Sequence, residues 1–117
     1  MFGKLEGKEF VVETEKLYIL KKHIADNFYP YEPNEMMIDR LQKALNNNQK
    51  NSGADASFYF HELREAELMQ KGSSYEKAHN KALQYYEVSA FSVYHPDVIV
   101  ACRDDFNQKW RDSWGII

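Results

Sequence analysis

The sequence predicts a mainly α-helical, small domain with a central antiparallel helix hairpin. Apolar residues recur at helical spacing in several segments, and the two central ones are separated by only Lys71-Gly72-Ser73. A connection this short forces two helices to lie side by side in opposite directions. The length of 117 residues suits a single domain, residues 1–117, built on one hydrophobic core.

Composition and charge exclude several classes of protein. Hydrophobic residues make up 44% of the chain, which is too apolar for a disordered segment. No run of about 18 apolar residues exists, so we expect no membrane insertion by this domain. The net charge of −3 argues against broad duplex binding, which needs a basic surface. It leaves open an enzyme with a local RNA site and a protein with a basic partner.

The first half of the chain predicts a short extended segment and two helices. The extended segment lies near 9–12, and Thr14 resembles an N-cap for a helix over about 15–28. Two prolines then interrupt the chain, and Asn34 can cap the second helix. Residues 46–53 are polar and predict an exposed loop.

The hairpin comes next. Its first helix covers about 56–71, with Gly72 at a C′ position. Ser73 and Glu76 have the spacing of a capping box, which opens the second helix, about 74–88.

The C-terminal part predicts less regular structure. Residues 91–94 are expected to be extended, and Pro96 to open a short turn or helix. Phe106 and Trp110 begin a last helical face. Cys102, the single cysteine, is expected to be buried and inert.

Polar residues on the inner faces of the hairpin are the best functional lead. On a helical wheel His79 is the only polar residue within the apolar arc of its helix, and His61, Glu62 and Glu65 lie within the apolar arc of the other. His61 and Glu65 are four residues apart and therefore neighbours. Glu65 and His79 are about equally far from Gly72, so we expect the cluster to converge.

A buried carboxylate costs several kcal/mol unless it is paired or bound. One explanation is structural: Glu65 accepts a hydrogen bond from His79, and the cluster only orients the hairpin. The others are an active site or a metal site.

A metal site is one alternative. The segment from His61 to Glu65 matches the zincin HExxH helix in part, with Glu65 in place of the second histidine. His61, Glu65 and His79 would then hold zinc or another divalent metal, with Glu62 as the base of a peptidase-like hydrolase.

Catalysis without a cofactor is the interpretation the sequence favours more. Two histidines tuned by a carboxylate can take a proton from a 2′-hydroxyl and protonate the leaving oxygen, as in a ribonuclease that forms a cyclic phosphate. Glu65 would raise the pKa of one imidazole toward neutrality. Tyr75 and Tyr86 could donate to the phosphate of the RNA substrate.

Other residues are weaker candidates. His95 precedes a proline, so its backbone is extended, and Asp97 could cap the turn that follows. This segment is either a structural turn or the route by which His95 enters the same site. Arg103 is the nearest cation in sequence and is our choice for a phosphate contact. His23 lies at the flank of its apolar arc and is expected on the surface.

The motifs His61-Glu62, Ala78-His79 and Tyr94-His95-Pro96 resemble C-terminal toxin domains of bacterial polymorphic toxins, such as contact-dependent inhibition and Rhs-type proteins. The resemblance covers about residues 55–115. It implies a domain delivered by a larger secreted or cell-surface carrier, acting in the target-cell cytoplasm and neutralised by a cognate immunity protein. Many such domains are nucleases, although usually more basic than this chain.

The leading hypothesis is therefore a toxin domain that acts as a nuclease, more specifically a ribonuclease, through His61, Glu62, Glu65, His79 and His95. A metal-dependent hydrolase is the second hypothesis. The third is a non-enzymatic immunity or binding protein in which the polar hairpin is structural.

Overall fold

Helices form most of the chain in the computed structural model, which describes all of residues 1–117 and confirms the mainly α fold class. The six α-helices are α1 (Thr14–Asn27), α2 (Glu32–Asn46), α3 (Gly53–Gln70), α4 (Tyr75–Tyr86), α5 (Pro96–Ala101) and α6 (Gln108–Ser113). Short 3-10 turns cover Gly3–Leu5, Ala90–Ser92 and Arg103–Asp105. No helix has the length and apolarity needed to cross a membrane.

The α3–α4 hairpin is closed by the expected glycine. Gly72 has a φ of 103°, and the N–H groups of Gly72 and Ser73 bond back to the last carbonyls of α3. This is the bonding pattern of a Schellman motif. The motif favours glycine because a positive φ is sterically unfavourable for any residue with a Cβ. Ser73 is used in this closure, so the predicted Ser73–Glu76 capping box is wrong. Ser74 is the N-cap of α4 and accepts from the backbone N–H of Lys77.

Two other helix starts also differ from the sequence prediction. Thr14 is the first residue of α1 rather than its N-cap, and Glu13 precedes it with extended backbone. Asn34 lies within α2, which begins two residues earlier at Glu32. Pro33 lies in the first turn of α2. Backbone N–H groups in a first turn have no acceptor within the helix, so a proline there removes no helical hydrogen bond. The side chain of Asn34 is thereby free to bond elsewhere.

A two-stranded antiparallel sheet joins the N-terminal segment to the loop before α3. Strand β1 (Phe10–Val11), within the expected segment near 9–12, pairs with β2 (Lys50–Asn51). The loop predicted over 46–53 therefore contains a strand as well as turns. The expectation of extended backbone over 91–94 is wrong, because Ala90–Ser92 forms a 3-10 turn capped by the Ser89 hydroxyl.

Helix α3 is the axis of the core. It packs against α4, α1 and α2. Phe58 and Tyr59 in its first half are almost fully buried, and they meet apolar side chains of α1, α2 and α5. Cys102 lies in the same core, as expected. The second half of α3 is different, because its buried positions are occupied by His61, Glu62 and Glu65.

Candidate functional site

The side chains of His61 and Glu65 on α3 and of His79 on α4 converge at a single point. His61 Nε2 lies 3.0 Å from Glu65 Oε2 and 3.0 Å from His79 Nδ1. His79 Nδ1 lies 3.3 Å from the same Glu65 oxygen. His61 and Glu65 are fully buried, whereas the His79 side chain is 33% exposed. The sequence analysis expected these three residues to meet, and the structure places them in contact.

His23 is a fourth member that the sequence analysis placed on the surface, which is wrong. It is only 6% exposed, and its Nε2 lies 2.8 Å from Glu65 Oε1. Helix α1 packs across α3, so a position at the flank of the α1 wheel faces the carboxylate. One signal was available: His23 follows Leu20 by three residues and precedes Ile24, and both are buried.

Glu62 brings a second carboxylate to the cluster. It is 8% exposed, and its Oε2 has no hydrogen-bond partner, since its nearest cationic neighbour, His23 Nε2, is 3.4 Å away in the ion pair. Burial raises the pKa of Glu62, and the partial compensation from His23 does not reverse that shift. This shift makes the carboxylate of Glu62 a stronger proton acceptor than an exposed glutamate.

The electrostatics of the cluster centre on Glu65. Burial alone would raise the pKa of Glu65, but hydrogen bonds from His23, His61 and His79 outweigh it and hold the pKa well below its usual range. Burial lowers the pKa of His23, yet its contacts with Glu62 and Glu65 raise it overall to about 9. The hydrogen bond with Glu65 also raises the pKa of His79.

Asn27 contacts the other side of the His23 ring. Its Nδ2 donates to the His23 carbonyl oxygen at 2.9 Å and lies 3.2 Å from His23 Nδ1. In this orientation Nδ1 must accept, so the proton of a neutral His23 is on Nε2 and points at Glu65. A protonated His23 requires the amide to turn over and present its oxygen to Nδ1–H.

Proton count sets a constraint on the contact between His61 and His79. Two ring nitrogens 3.0 Å apart cannot both carry a hydrogen, so at least one of them presents a lone pair. If His61 donates through Nε2–H, its Nδ1 is left as a buried acceptor, and that atom indeed has no partner. Leaving such an atom unpaired costs about 1–3 kcal/mol. The metal-free cluster is therefore incompletely satisfied.

The same three atoms have the spacing of metal ligands. Ligands at about 2.0–2.1 Å from a tetrahedral zinc ion lie roughly 3.3 Å from one another. The edges of the His61–Glu65–His79 triangle measure 3.0, 3.0 and 3.3 Å. A second group, formed by His23, Glu62 and Glu65, also places its ligand atoms within 4.8 Å of one another, but all three of its members are buried.

An open cleft gives access to the cluster. It has a volume of about 430 Å³, and His61, Glu62 and His79 form part of its wall. The rest of the wall is mostly aromatic and apolar, and no lysine or arginine contributes to it. The remaining lining residues are Phe28, Tyr29, Pro30, Tyr31, Asn34, Tyr75, Ala90, Val93, Tyr94 and Trp110.

Of the predicted substrate-binding residues, only Tyr75 lies in this cleft. Burial raises the pKa of Tyr75 to about 12, so its hydroxyl keeps its proton. Tyr86 lies in a different groove with Tyr85 and Phe60. Arg103 lies in an exposed turn and does not line the cleft. The structure does not bring Tyr86 and Arg103 to the site. Tyr86 lies beside His79 on the helical wheel but lines the other groove, and Arg103 was chosen only for its nearness in sequence to His95.

His95 also lies outside the cleft. Its Nδ1 accepts from the backbone N–H of Asp97, so His95 is the N-cap of α5 and the predicted capping role of Asp97 is reversed. The backbone N–H of His95 contacts the sulfur of Met37 in the core. Burial lowers the pKa of His95. Of the two interpretations of this segment, the structural turn agrees with the contacts that His95 makes.

The outer part of the cleft was not predicted from the sequence. Asn34, Tyr94 and Trp110 come from three distant segments, and no spacing rule connects them.

Comparisons of this chain with protein-family models, curated proteins and solved structures gave no significant match.

Proposed function

We propose that this chain is a divalent-metal hydrolase in which His61, Glu65 and His79 hold one zinc ion. The observation that carries the proposal is the triangle of two nitrogens and one oxygen, whose edges of 3.0 to 3.3 Å fit tetrahedral zinc. Three protein ligands leave the fourth position for water or substrate, which is the arrangement of catalytic zinc sites. The side chain of His79 is 33% exposed and lines the cleft, so a substrate in the cleft could reach the cluster.

Zinc would remove the proton conflict within the cluster. Each imidazole would present a lone pair to the ion, so the contact between His61 Nε2 and His79 Nδ1 needs no shared proton. His61 Nδ1 would then carry the ring proton, still without a partner in the protein. The two positive charges of the ion would be balanced by the carboxylates of Glu62 and Glu65.

Glu62 is suited to act as the general base. It follows the ligand His61 directly, lines the cleft and has an oxygen without a hydrogen-bond partner. Zinc, when bound, would supply an activated water. Glu62, at the wall of the cleft and with its pKa raised by burial, is the residue of this chain suited to hold a proton and pass it to a leaving group. His23 would position Glu65 by donating to its second oxygen, since ligating carboxylates need such support.

A Glu62→Gln variant tests this assignment. We expect it to bind zinc as the unaltered chain does but to hydrolyse peptide substrates 10²- to 10⁴-fold more slowly, the range for loss of a general base. Glu67→Gln is the control, because Glu67 lies on the same helix and pairs only with exposed residues. Full activity in Glu62→Gln, or activity that survives a zinc chelator, would refute the metal mechanism.

Metal-free acid–base cleavage of RNA is a second candidate, supported by the paired imidazoles of His61 and His79. The raised pKa of His79 would keep a proton available for the leaving oxygen near neutral pH. We rank it second because no lysine or arginine lines the cleft to bind the phosphate. RNA cleavage with 2′,3′-cyclic phosphate ends, in the presence of chelator and lost in His79→Ala, would reverse this ranking.

We further propose that the chain acts as the toxic domain of a polymorphic toxin, delivered into a target cell and neutralised by an immunity protein. The support is that the His-Glu, Ala-His and Tyr-His-Pro motifs resemble those of C-terminal toxin domains. Expression inside a bacterium should arrest growth, and Glu62→Gln should abolish the arrest without loss of folded protein. Harmless expression of the unaltered chain would favour the immunity or binding protein instead.

A further inference from the structure

We propose that the cleft binds the side chain of an aromatic or large aliphatic residue in a peptide or amide substrate, with Asn34 as donor to a substrate carbonyl. This inference rests on the proposed hydrolase and specifies its substrate class. It combines the lining of the cleft, the hydrogen bonding of Asn34 and the charges that face the ligand.

The two outer walls of the cleft come from three separate segments of the chain. One wall is formed by residues 28–31, which connect α1 to α2, and by Asn34 in the first turn of α2. The other is formed by Val93, Tyr94 and Trp110. Trp110 and Tyr94 pack edge to face with centroids 5.7 Å apart. An apolar ring or branched side chain between these walls would leave water and gain aromatic contacts.

Asn34 supplies the polar group that orients such a ligand. Its residue is 6% exposed, and its Oδ1 accepts a hydrogen bond from the Tyr94 hydroxyl at 2.6 Å. Burial raises the pKa of Tyr94 well above its usual range, so this hydroxyl remains a donor. The bond fixes Asn34 Oδ1 on Tyr94 and leaves Nδ2 without a hydrogen-bond partner within the protein. A carbonyl oxygen is the matching acceptor.

The charges of the cleft exclude the main competing ligands. Glu62 is its single acidic residue, and the only side chains of the cleft that can become cationic, His61 and His79, are held by Glu65 at its inner end. A phosphate or a carboxylate side chain in the outer, aromatic part of the cleft would therefore be desolvated without a partner. A neutral apolar side chain meets no such penalty, and this favours a peptide over a nucleotide.

The test measures binding, which does not require activity. The probes are N-acetyl-phenylalaninamide, N-acetyl-alaninamide, N-acetyl-lysinamide and adenosine 5′-monophosphate, titrated into the full chain and followed by the indole N–H signals. The chain has two tryptophans. Trp110 lines the cleft, whereas Trp114 does not and donates to the Phe91 carbonyl, so it is an internal control.

We expect the phenyl probe to shift the Trp110 signal and leave the Trp114 signal unchanged. Its dissociation constant should be at least tenfold lower than that of the alanine probe, which lacks the apolar ring. Asn34→Asp keeps an acceptor for Tyr94 but loses the donor, and in folded protein it should weaken phenyl-probe binding at least fivefold. Tyr31→Ala should weaken it as well, whereas Tyr18→Ala, in a separate groove, should not.

Several outcomes would overturn the inference. They are equal affinities for the three amides, tighter binding of the nucleotide than of the phenyl probe, and unchanged binding in a folded Asn34→Asp variant. The proposed function fails separately: zinc-loaded protein that binds the phenyl probe as expected but cleaves no phenylalanine-containing peptide refutes the hydrolase and retains the binding specificity. Peptide cleavage without side-chain preference would retain the hydrolase and refute the binding specificity.

Discussion

Helix α3 carries three buried acidic residues, and two of them, Asp55 and Glu65, have opposite surroundings. Asp55 receives two hydrogen bonds from the Arg40 guanidinium, at 2.9 and 3.0 Å. Glu65 is surrounded by three imidazoles. Arginine stays charged at any physiological pH, so the Asp55 pair is fixed. Histidine can lose its proton and can bind a metal, so the Glu65 cluster can change state.

The two regions also differ in how completely their polar atoms are satisfied. Both Asp55 oxygens are bonded in a planar, bidentate pair with Arg40, which is geometry suited to stability. Near Glu65, one nitrogen of His61 and one oxygen of Glu62 are buried without a partner. A satisfied buried carboxylate indicates a structural role, whereas unsatisfied polar groups at the wall of a cleft support the ligand site that we propose there.

The largest effect should come from neutralising the two carboxylates in turn. We expect Glu65→Gln to weaken zinc binding at least a hundredfold, because removal of a ligand should exceed the 10–100-fold effect of removing its supports. Asp55→Asn should leave zinc affinity unchanged but lower the free energy of unfolding by about 2 kcal/mol, since it leaves the partly buried Arg40 with only the exposed carboxylate of Asp97, 3.7 Å away. Zinc titration and urea unfolding measure the two effects. Equal zinc affinities in both variants would contradict the assignment of Glu65, and not Asp55, to the metal site.

Zinc itself should stabilise only through the Glu65 region. At a free concentration a hundred times the dissociation constant, a ligand that binds the folded state adds about 2.7 kcal/mol to the free energy of unfolding. Asp55→Asn should show the same increment from its lower baseline, and His79→Gln should show none. A zinc increment that persists in His79→Gln would place the ion elsewhere.

The pH dependence of stability should separate the regions in the metal-free protein. The pKa of His23 is raised to about 9 in the folded chain, so its stabilising contribution is complete below about 6.5 and is lost as the pH rises through 9. The raised pKa of Glu62 acts in the same direction. We expect a loss of about 2 kcal/mol between pH 6.5 and 9, given partial solvent screening.

His23→Gln should flatten this pH profile, whereas Arg40→Gln should lower stability at every pH and keep the slope. Chemical unfolding at a series of pH values in the presence of chelator gives both curves. A slope that is unchanged in His23→Gln would show that His23 does not carry the proton.

The smallest effects are expected at the predicted residues that lie outside the cleft. His95→Ala removes the N-cap of α5 and should cost about 1 kcal/mol of stability. Arg103→Ala, on an exposed turn, should stay within about 0.5 kcal/mol. Neither should alter zinc affinity or turnover. A tenfold loss of turnover in either variant would mean that its side chain reaches the site.

The parts of the cluster that could be predicted from sequence are those set by one helix or by one tight turn. His79 is the single polar residue on an apolar helical face. The tight turn at Gly72 brings Glu65 opposite His79 in the hairpin. His23 could not be placed in this way. Its partner lies 42 residues away, and only the packing of α1 across α3 decides which way the flank of α1 faces.

The helix caps show the same limit on a smaller scale. Ser73, Thr14 and Asn34 all have the residue types of N-caps, and each is displaced from that position by a neighbour or by an earlier helix start. The cleft is a stronger example, because Asn34 and Tyr94 are 60 residues apart and meet only in the folded chain. Local spacing predicts the hairpin, and tertiary packing determines what stands opposite it.

X-ray absorption at the zinc edge, on chain purified without chelator, tests the metal site most directly. We expect one zinc ion per chain, with two histidine nitrogens at about 2.0–2.1 Å and oxygen ligands at about 2.0–2.2 Å, and loss of that ion in His79→Gln but not in Asp55→Asn. Absence of bound zinc in the unaltered chain, or the same zinc content and spectrum in His79→Gln, would contradict the metal site at Glu65.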